Sequence, residues 1–199
     1  VMCAGENSFL NRFQILDLLS LQGATIGGFG INKPFLCNGA NFAYKKSLFY
    51  NLNGFEGNSD IASGDDIFFL EKVLKKLPEQ LHYLKCKDAI VDTLTQPSWG
   101  DLISQRVRWA SKTSAYNNWF GKFAGLFVLL MNGLLIVSFF LFIMGSFAIE
   151  KLLSVIIVKF IVDFVLILKS AKFFVQNNIL KGYLVSFFFY PFFSVYIAG

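Results

Sequence analysis

From Phe123 to Ile149 the chain runs 27 residues without a charged side chain. Wound as a helix at about 1.5 Å per residue, such a run reaches about 40 Å, enough to cross a hydrocarbon core of about 30 Å with tilt. A transmembrane helix is therefore expected over 123–149, and the rest of the chain has to fold around it. Two further apolar runs follow. Leu152 to Leu168 contains Lys159 and Asp163; at i and i+4 these lie one above the other on a helix face, where they can pair and lower each other's insertion cost. They read either as an intramembrane site or, preferably, as a tolerated pair facing neighbouring helices or a helix lying partly in the interface. The last run, 183–199, ends on Gly199 with no flanking charge and reads as a third span cut short.

The polar residues are concentrated upstream. Residues 1–122 hold 24 charged side chains, whereas the 77 residues from 123 hold 7 and carry 15 of the 25 Phe. Over the whole chain 55% of residues are hydrophobic and 16% charged, against about 45–50% and about 25% in a soluble domain. This excludes a disordered chain, a coiled coil, a small disulfide scaffold and a purely cytosolic enzyme. The net charge of +5 lies beside apolar runs, so it reads as attraction to a lipid bilayer, with no nucleic-acid partner expected. Cys3, Cys37 and Cys86 have no metal-site or disulfide spacing. The N-terminus has no signal-peptide pattern and reads as an internal segment. Arg106, Arg108, Lys112 and Lys122 precede the first span, and Lys169, Lys172 and Lys181 lie between the second and third. The positive-inside rule then puts residues 1–122 and the 169–182 loop in the cytoplasm, as in a multi-pass inner (plasma) membrane protein.

The upstream part alternates helix and strand signals. Asn7 or Ser8 can cap a helix carrying Phe9, Phe13, Leu16 and Leu19, ended by Gly23. Gly27-Gly28-Phe29-Gly30 lacks both phosphate-loop patterns and is expected to be a plain turn. Asn38-Gly39 is a turn; Ser47 caps a short helix ended by Asn53-Gly54; Ser63 caps another running to about Lys76, before Pro78. His82–Lys85 and Ala89–Val91 read as short strands, and Gln96-Pro97-Ser98 opens a helix through Ser111. The fold class expected is α/β, with too few strands for a complete sheet.

Two clusters invite chemistry. Among Asp60, Asp65 and Asp66 no register satisfies a calcium loop. Ser63-Gly64-Asp65-Asp66 instead puts carboxylates at a helix start, where free amides favour them; this is either plain capping or the placement of a base that removes a proton from a hydroxyl. In Gln105-Arg106-Val107-Arg108-Trp109, at about 100° per residue, Gln105, Arg108 and Lys112 fall on one side and Trp99, Ile103, Val107 and Ala110 on the other. Arg106 projects within the apolar arc. Such a helix either meets anionic lipid, or uses Arg108 to neutralise a leaving diphosphate and Trp109 as a flat face for a sugar ring, Gln105 adding hydrogen bonds.

Cys37-Asn38-Gly39-Ala40-Asn41-Phe42-Ala43-Tyr44-Lys45-Lys46, then Asn53-Gly54-Phe55, then Gly64-Asp65-Asp66, then Gln105-x-x-Arg108-Trp109, in that order, resemble the C-terminal half of a membrane-bound family 2 glycosyltransferase of the cellulose and hyaluronan synthase type. The resemblance spans roughly residues 5–150. It implies a partial GT-A-like domain over 1–97, an interface helix over 98–122 and a membrane domain of about three helices over 123–199. It implies inverting transfer from a nucleotide-diphosphate sugar to a hydroxyl of a glycan or lipid-linked acceptor, with Asp66 as base and Asp65 in place of the usual Glu. It further implies that Cys37, Asn38, Gly39, Asn41, Gln105 and Trp109 meet the acceptor, and that Arg108 and Arg106 meet the diphosphate; Lys72 stands where a basic residue is common. The family holds its divalent metal, Mg or Mn, with an upstream D-x-D. No D-x-D precedes Asp60, where the acidic residues are Glu6, Asp17 and Glu56, so the chain is expected to be a fragment without the donor half and without metal ligands of its own. The alternative class is a non-enzymatic membrane scaffold or lipid-binding protein.

Overall fold

A computed structural model describes residues 2–4, 8–57, 64–113 and 115–199. Helix α1, Phe9–Gly30, starts where the Ser8 hydroxyl accepts the Asn11 N–H. It is followed by a loop with a 3-10 turn at Gly39–Asn41, by α2 (Lys46–Asn51) and by α3 (Asp65–Lys76). Helix α4, Trp99–Ala110, begins at Ser98, whose hydroxyl accepts the Asp101 N–H. The last three helices are α5 (Trp119–Ile143), α6 (Ile149–Phe173) and α7 (Tyr183–Ala198), the last entered through a 3-10 turn at Asn177–Gly182.

The chain is mostly helical, which corrects the α/β and GT-A-like expectation. Extended pairing among the described residues is confined to a parallel ladder of three residues a side, β1 (Met2–Ala4) against β2 (Asp92–Leu94), with Met2 opposite Asp92. His82–Lys85 and Ala89–Val91 form no strand. Too few residues pair to cover a sheet face, and the apolar surface is buried by helices instead.

Helix α1 runs through the glycines expected to interrupt it. Gly23 does not end the helix, and Gly27–Gly30 is its last turn, not a plain turn. A Cβ on Gly23 would lie 2.4 Å from Ser170 Oγ and 2.9 Å from Leu166 Cδ1 of α6. Gly23 therefore serves the close approach of two helices, as small residues do between membrane helices. The chain reverses later, at Asn32, whose φ is 56°. Lys45, not Ser47, precedes the first residue of α2. The expected end of that helix stands, with Asn53 and Gly54 at φ 56° and 45°. The caps expected at Asn7 and Ser63 lie outside the described residues.

Leu16 and Leu19 of α1, Leu135 of α5, Ile167 and Ala171 of α6 and Phe187 of α7 form one core. Phe13, Leu102 and Phe193 form a second, joining α1, α4 and α7. Trp99 packs on Phe13 and Phe189, with ring centroids 5.3 and 5.4 Å apart, so α4 is held against the bundle. Two segments, Trp119–Ile143 and Asn177–Ala198, are long and apolar enough to cross a membrane. Outward-facing Phe123, Phe127, Leu130 and Val137 on α5 give that helix the surface lipid would cover. Between these segments, α6 buries Lys159 beside its ion-pair partner Asp163, and the Lys159 ammonium lies 5.4 Å from the Phe187 ring centre of α7. The pair thus faces a neighbouring helix.

Candidate functional site

A cavity of about 600 Å³ opens between α1, the 36–39 loop, the first turn of α3, the end of α4 and α7. Its walls include Cys37, Asn38, Gly39, Asp65, Asp66, Arg106, Arg108 and Trp109, residues drawn from three separate sequence motifs. Gln105 and Asn41 do not line it.

Asp66 is set by the backbone. Gly64 precedes α3 at φ 92°, in the left-handed region that glycine tolerates best, and turns the chain so that both aspartates fall in the first helical turn. Asp66 Oδ2 accepts the Gly39 N–H at 2.7 Å, and Oδ1 accepts the Ile67 N–H at 2.9 Å. The first of these bonds joins the Asn38-Gly39 turn to the acidic pair across 27 residues. Asn38 shapes that turn, its Oδ1 accepting the Ala40 N–H at 3.0 Å. Asn41 points elsewhere and donates to the Ala89 carbonyl at 2.7 Å. Asp65 is exposed at the cavity edge. Burial, and then the Asp66 charge, push the Cys37 thiol well above its ordinary range. Tyr116, also on the wall, is pushed up to about 12 by burial and then by Asp66. Both groups therefore stay protonated near neutral pH and offer hydrogen-bond donors to a ligand.

On α4 the two arginines divide. Arg108 is exposed, but Arg106 is buried, its Nε 2.7 Å from Asp17 Oδ2 of α1. The Arg106 guanidinium also lies over the Trp109 ring, 4.3 Å from its centre, and donates to the Gln105 side-chain oxygen. Asp17 thus fixes Arg106, and Arg106 fixes the ring that faces the cavity. Gln105 acts within this network. Lys72 bonds the carbonyls of Gly54 and Glu56, each at 2.7 Å, and so braces the loop before α3.

Sequence reasoning missed Asp17, Lys112, Tyr116 and the α7 wall formed by Tyr190, Phe193, Ser194 and Ile197. Asp17 had a signal, a lone acid within Ile15-Leu16-Asp17-Leu18-Leu19, which a buried position makes costly without a partner. Lys112 had one as well, falling on the same side of the helix as Gln105 and Arg108; Tyr116 and the α7 wall had none, because only the fold carries them to the cavity. The described residues contain no group of three or more His, Cys, Asp or Glu side chains able to hold a metal ion, and both Asp66 oxygens already accept backbone N–H groups. The divalent metal implied by the resemblance does not fit this donor set. No family model, curated protein or solved structure matches the chain.

Proposed function

We propose that the chain is the acceptor side and membrane anchor of an inverting glycosyltransferase acting on a nucleotide-diphosphate sugar. Asp66 removes the proton from an acceptor hydroxyl; that oxygen bonds to the anomeric carbon as the bond from carbon to the diphosphate oxygen breaks. A carboxylate has about four lone-pair positions, so one stays free for the proton after two N–H groups are accepted. Arg108 neutralises the leaving diphosphate, Trp109 offers its face to a sugar ring, and Arg106, answered by Asp17, holds that face in place. The single displacement needs a base and positioning and no enzyme nucleophile. The reaction runs at the cytoplasmic face of the inner (plasma) membrane, on the side of the basic residues. One observation carries the reading: Asp66, the Asn38-Gly39 turn, Arg108 and Trp109 meet around one cavity.

Asp66→Asn in the full-length protein tests it, by transfer of radiolabelled sugar to membranes with donor binding measured in parallel. Loss of transfer with donor binding kept supports the assignment, and undiminished transfer removes it.

A further inference from the structure

Lys112 lies just beyond α4 on the cavity wall and is only 8% exposed. It has neither a hydrogen-bond nor an ion-pair partner for its side chain among the described residues. The buried polar atoms without a partner among the described residues are Asn132 Oδ1 and Ser186 Oγ, so the Lys112 ammonium still reaches the cavity's solvent, where an anion would give it a charge-assisted hydrogen bond. The α1 and α7 walls add apolar side chains. Leu18 and Leu21 of α1 face Phe193 and Ile197 of α7 across the same cavity. On α7 the lining runs from Tyr190 to Ile197 along one helix face, about 10 Å at 1.5 Å per residue. That face belongs to a segment long enough to cross a membrane. Gln22, Thr25 and Ser194 add polar groups to the same walls, but the apolar side chains between them would be covered by a hydrocarbon chain and not by a free sugar.

We infer that the cavity takes its acceptor as an anionic amphiphile: a lipid-linked saccharide whose phosphate lies against Lys112, whose sugar hydroxyl reaches Asp66 and whose chain lies between α1 and α7. As the acceptor role, this rests on the glycosyltransferase reading; as a binding site, it stands on the cavity alone.

The test uses the full-length protein in nanodiscs and a decyl phosphate with a photoactivatable group in the alkyl chain, crosslinked positions being mapped by mass spectrometry. Labels are expected on the peptides carrying Leu18, Leu21, Phe193 and Ile197, displaced by unlabelled decyl phosphate but not by inorganic phosphate. Lys112→Ala is expected to lower this labelling about tenfold, the order of a lost charge-assisted hydrogen bond, while Lys112→Arg keeps most of it. Leu21→Trp fills the space between the α1 and α7 walls and abolishes labelling in protein that keeps the wild-type melting temperature; Ile197→Trp serves if Leu21→Trp does not fold. Labelling confined to the outer face of α5, or equal displacement by inorganic phosphate, overturns the site. Wild-type transfer to a soluble saccharide by Leu21→Trp overturns the lipid acceptor and leaves the enzyme reading intact. The expected labelling with no transfer from any nucleotide sugar keeps the lipid site and removes the enzyme.

Discussion

Arg106 of α4 and Asp17 of α1 are 89 residues apart in sequence and 2.7 Å apart in space, with side chains 8% and 5% exposed. Both charges lie where solvation is poor, so each depends on the other. Removing one partner is expected to destabilise the protein by about 3–5 kcal/mol, because the remaining charge is left buried. Asp17→Asn and Arg106→Met should each lower the thermal midpoint markedly, whereas the double change Asp17→Leu with Arg106→Leu should recover most of the loss. Fluorescence-monitored unfolding in detergent checks this, and a double variant no better than the singles would show that the pair does more than neutralise itself.

The acidic pair separates by geometry. Asp66 accepts two backbone N–H groups inside the cavity, and Asp65 stands exposed at its edge. Asp66→Asn is expected to lower turnover by about 10²–10⁴-fold, the usual loss with a general base, and Asp65→Asn to cost less. Transfer abolished by Asp65→Asn but kept by Asp66→Asn would move the base one residue upstream.

Arg108→Lys distinguishes phosphate recognition from lipid attraction. Lysine keeps the charge but not the planar fork, so turnover should fall markedly if two oxygens of a diphosphate are gripped. Attraction to anionic lipid needs charge alone. Wild-type turnover together with unchanged membrane association would end the diphosphate role. Trp109→Phe should be milder than Trp109→Ala, since the former keeps a ring beneath the Arg106 guanidinium.

Gly23→Ala tests the approach of α1 to α6. Alanine is ordinarily worth about 0.5–1 kcal/mol over glycine inside a helix. Here the new Cβ would meet Ser170 Oγ at 2.4 Å and Leu166 Cδ1 at 2.9 Å, and overpacking of that kind costs about 1–3 kcal/mol. The clash should win and lower the melting temperature. Adding Ser170→Ala removes the nearer contact and should return part of the loss. A Gly23→Ala protein as stable as wild type would mean that the helices have room to separate.

Single cysteines at 151 and 176, in a background lacking Cys3, Cys37 and Cys86, test orientation. On the proposed orientation, with the basic residues on the cytoplasmic side, position 151 is expected outside and 176 in the cytoplasm. An impermeant thiol reagent added to intact cells should label 151 more strongly, and stronger labelling of 176 would reverse the topology.

The sequence by itself determined that apolar helices follow the polar part, that a helix opens at Gln96-Pro97-Ser98, the turn at Asn38-Gly39 and the aspartates at the start of α3. Each is a local matter of hydrophobic run length or backbone hydrogen bonding within a few residues. It did not determine the helix bounds: the run read as one helix over 123–149 ends at Ile143, before Gly145 at φ 72°, and the next helix starts at Ile149. The motif residues were legible as types suited to acid–base and phosphate chemistry. Tertiary structure decided the rest. It made Gly23 and Gly27–Gly30 part of one long helix, because what a glycine does depends on the neighbour that approaches it. It gave Arg106 its partner on α1, brought Gly39 to Asp66, and closed the cavity with Lys112 and the α7 face. These contacts join residues far apart in the chain, and no local pattern encodes which apolar faces will bury one another.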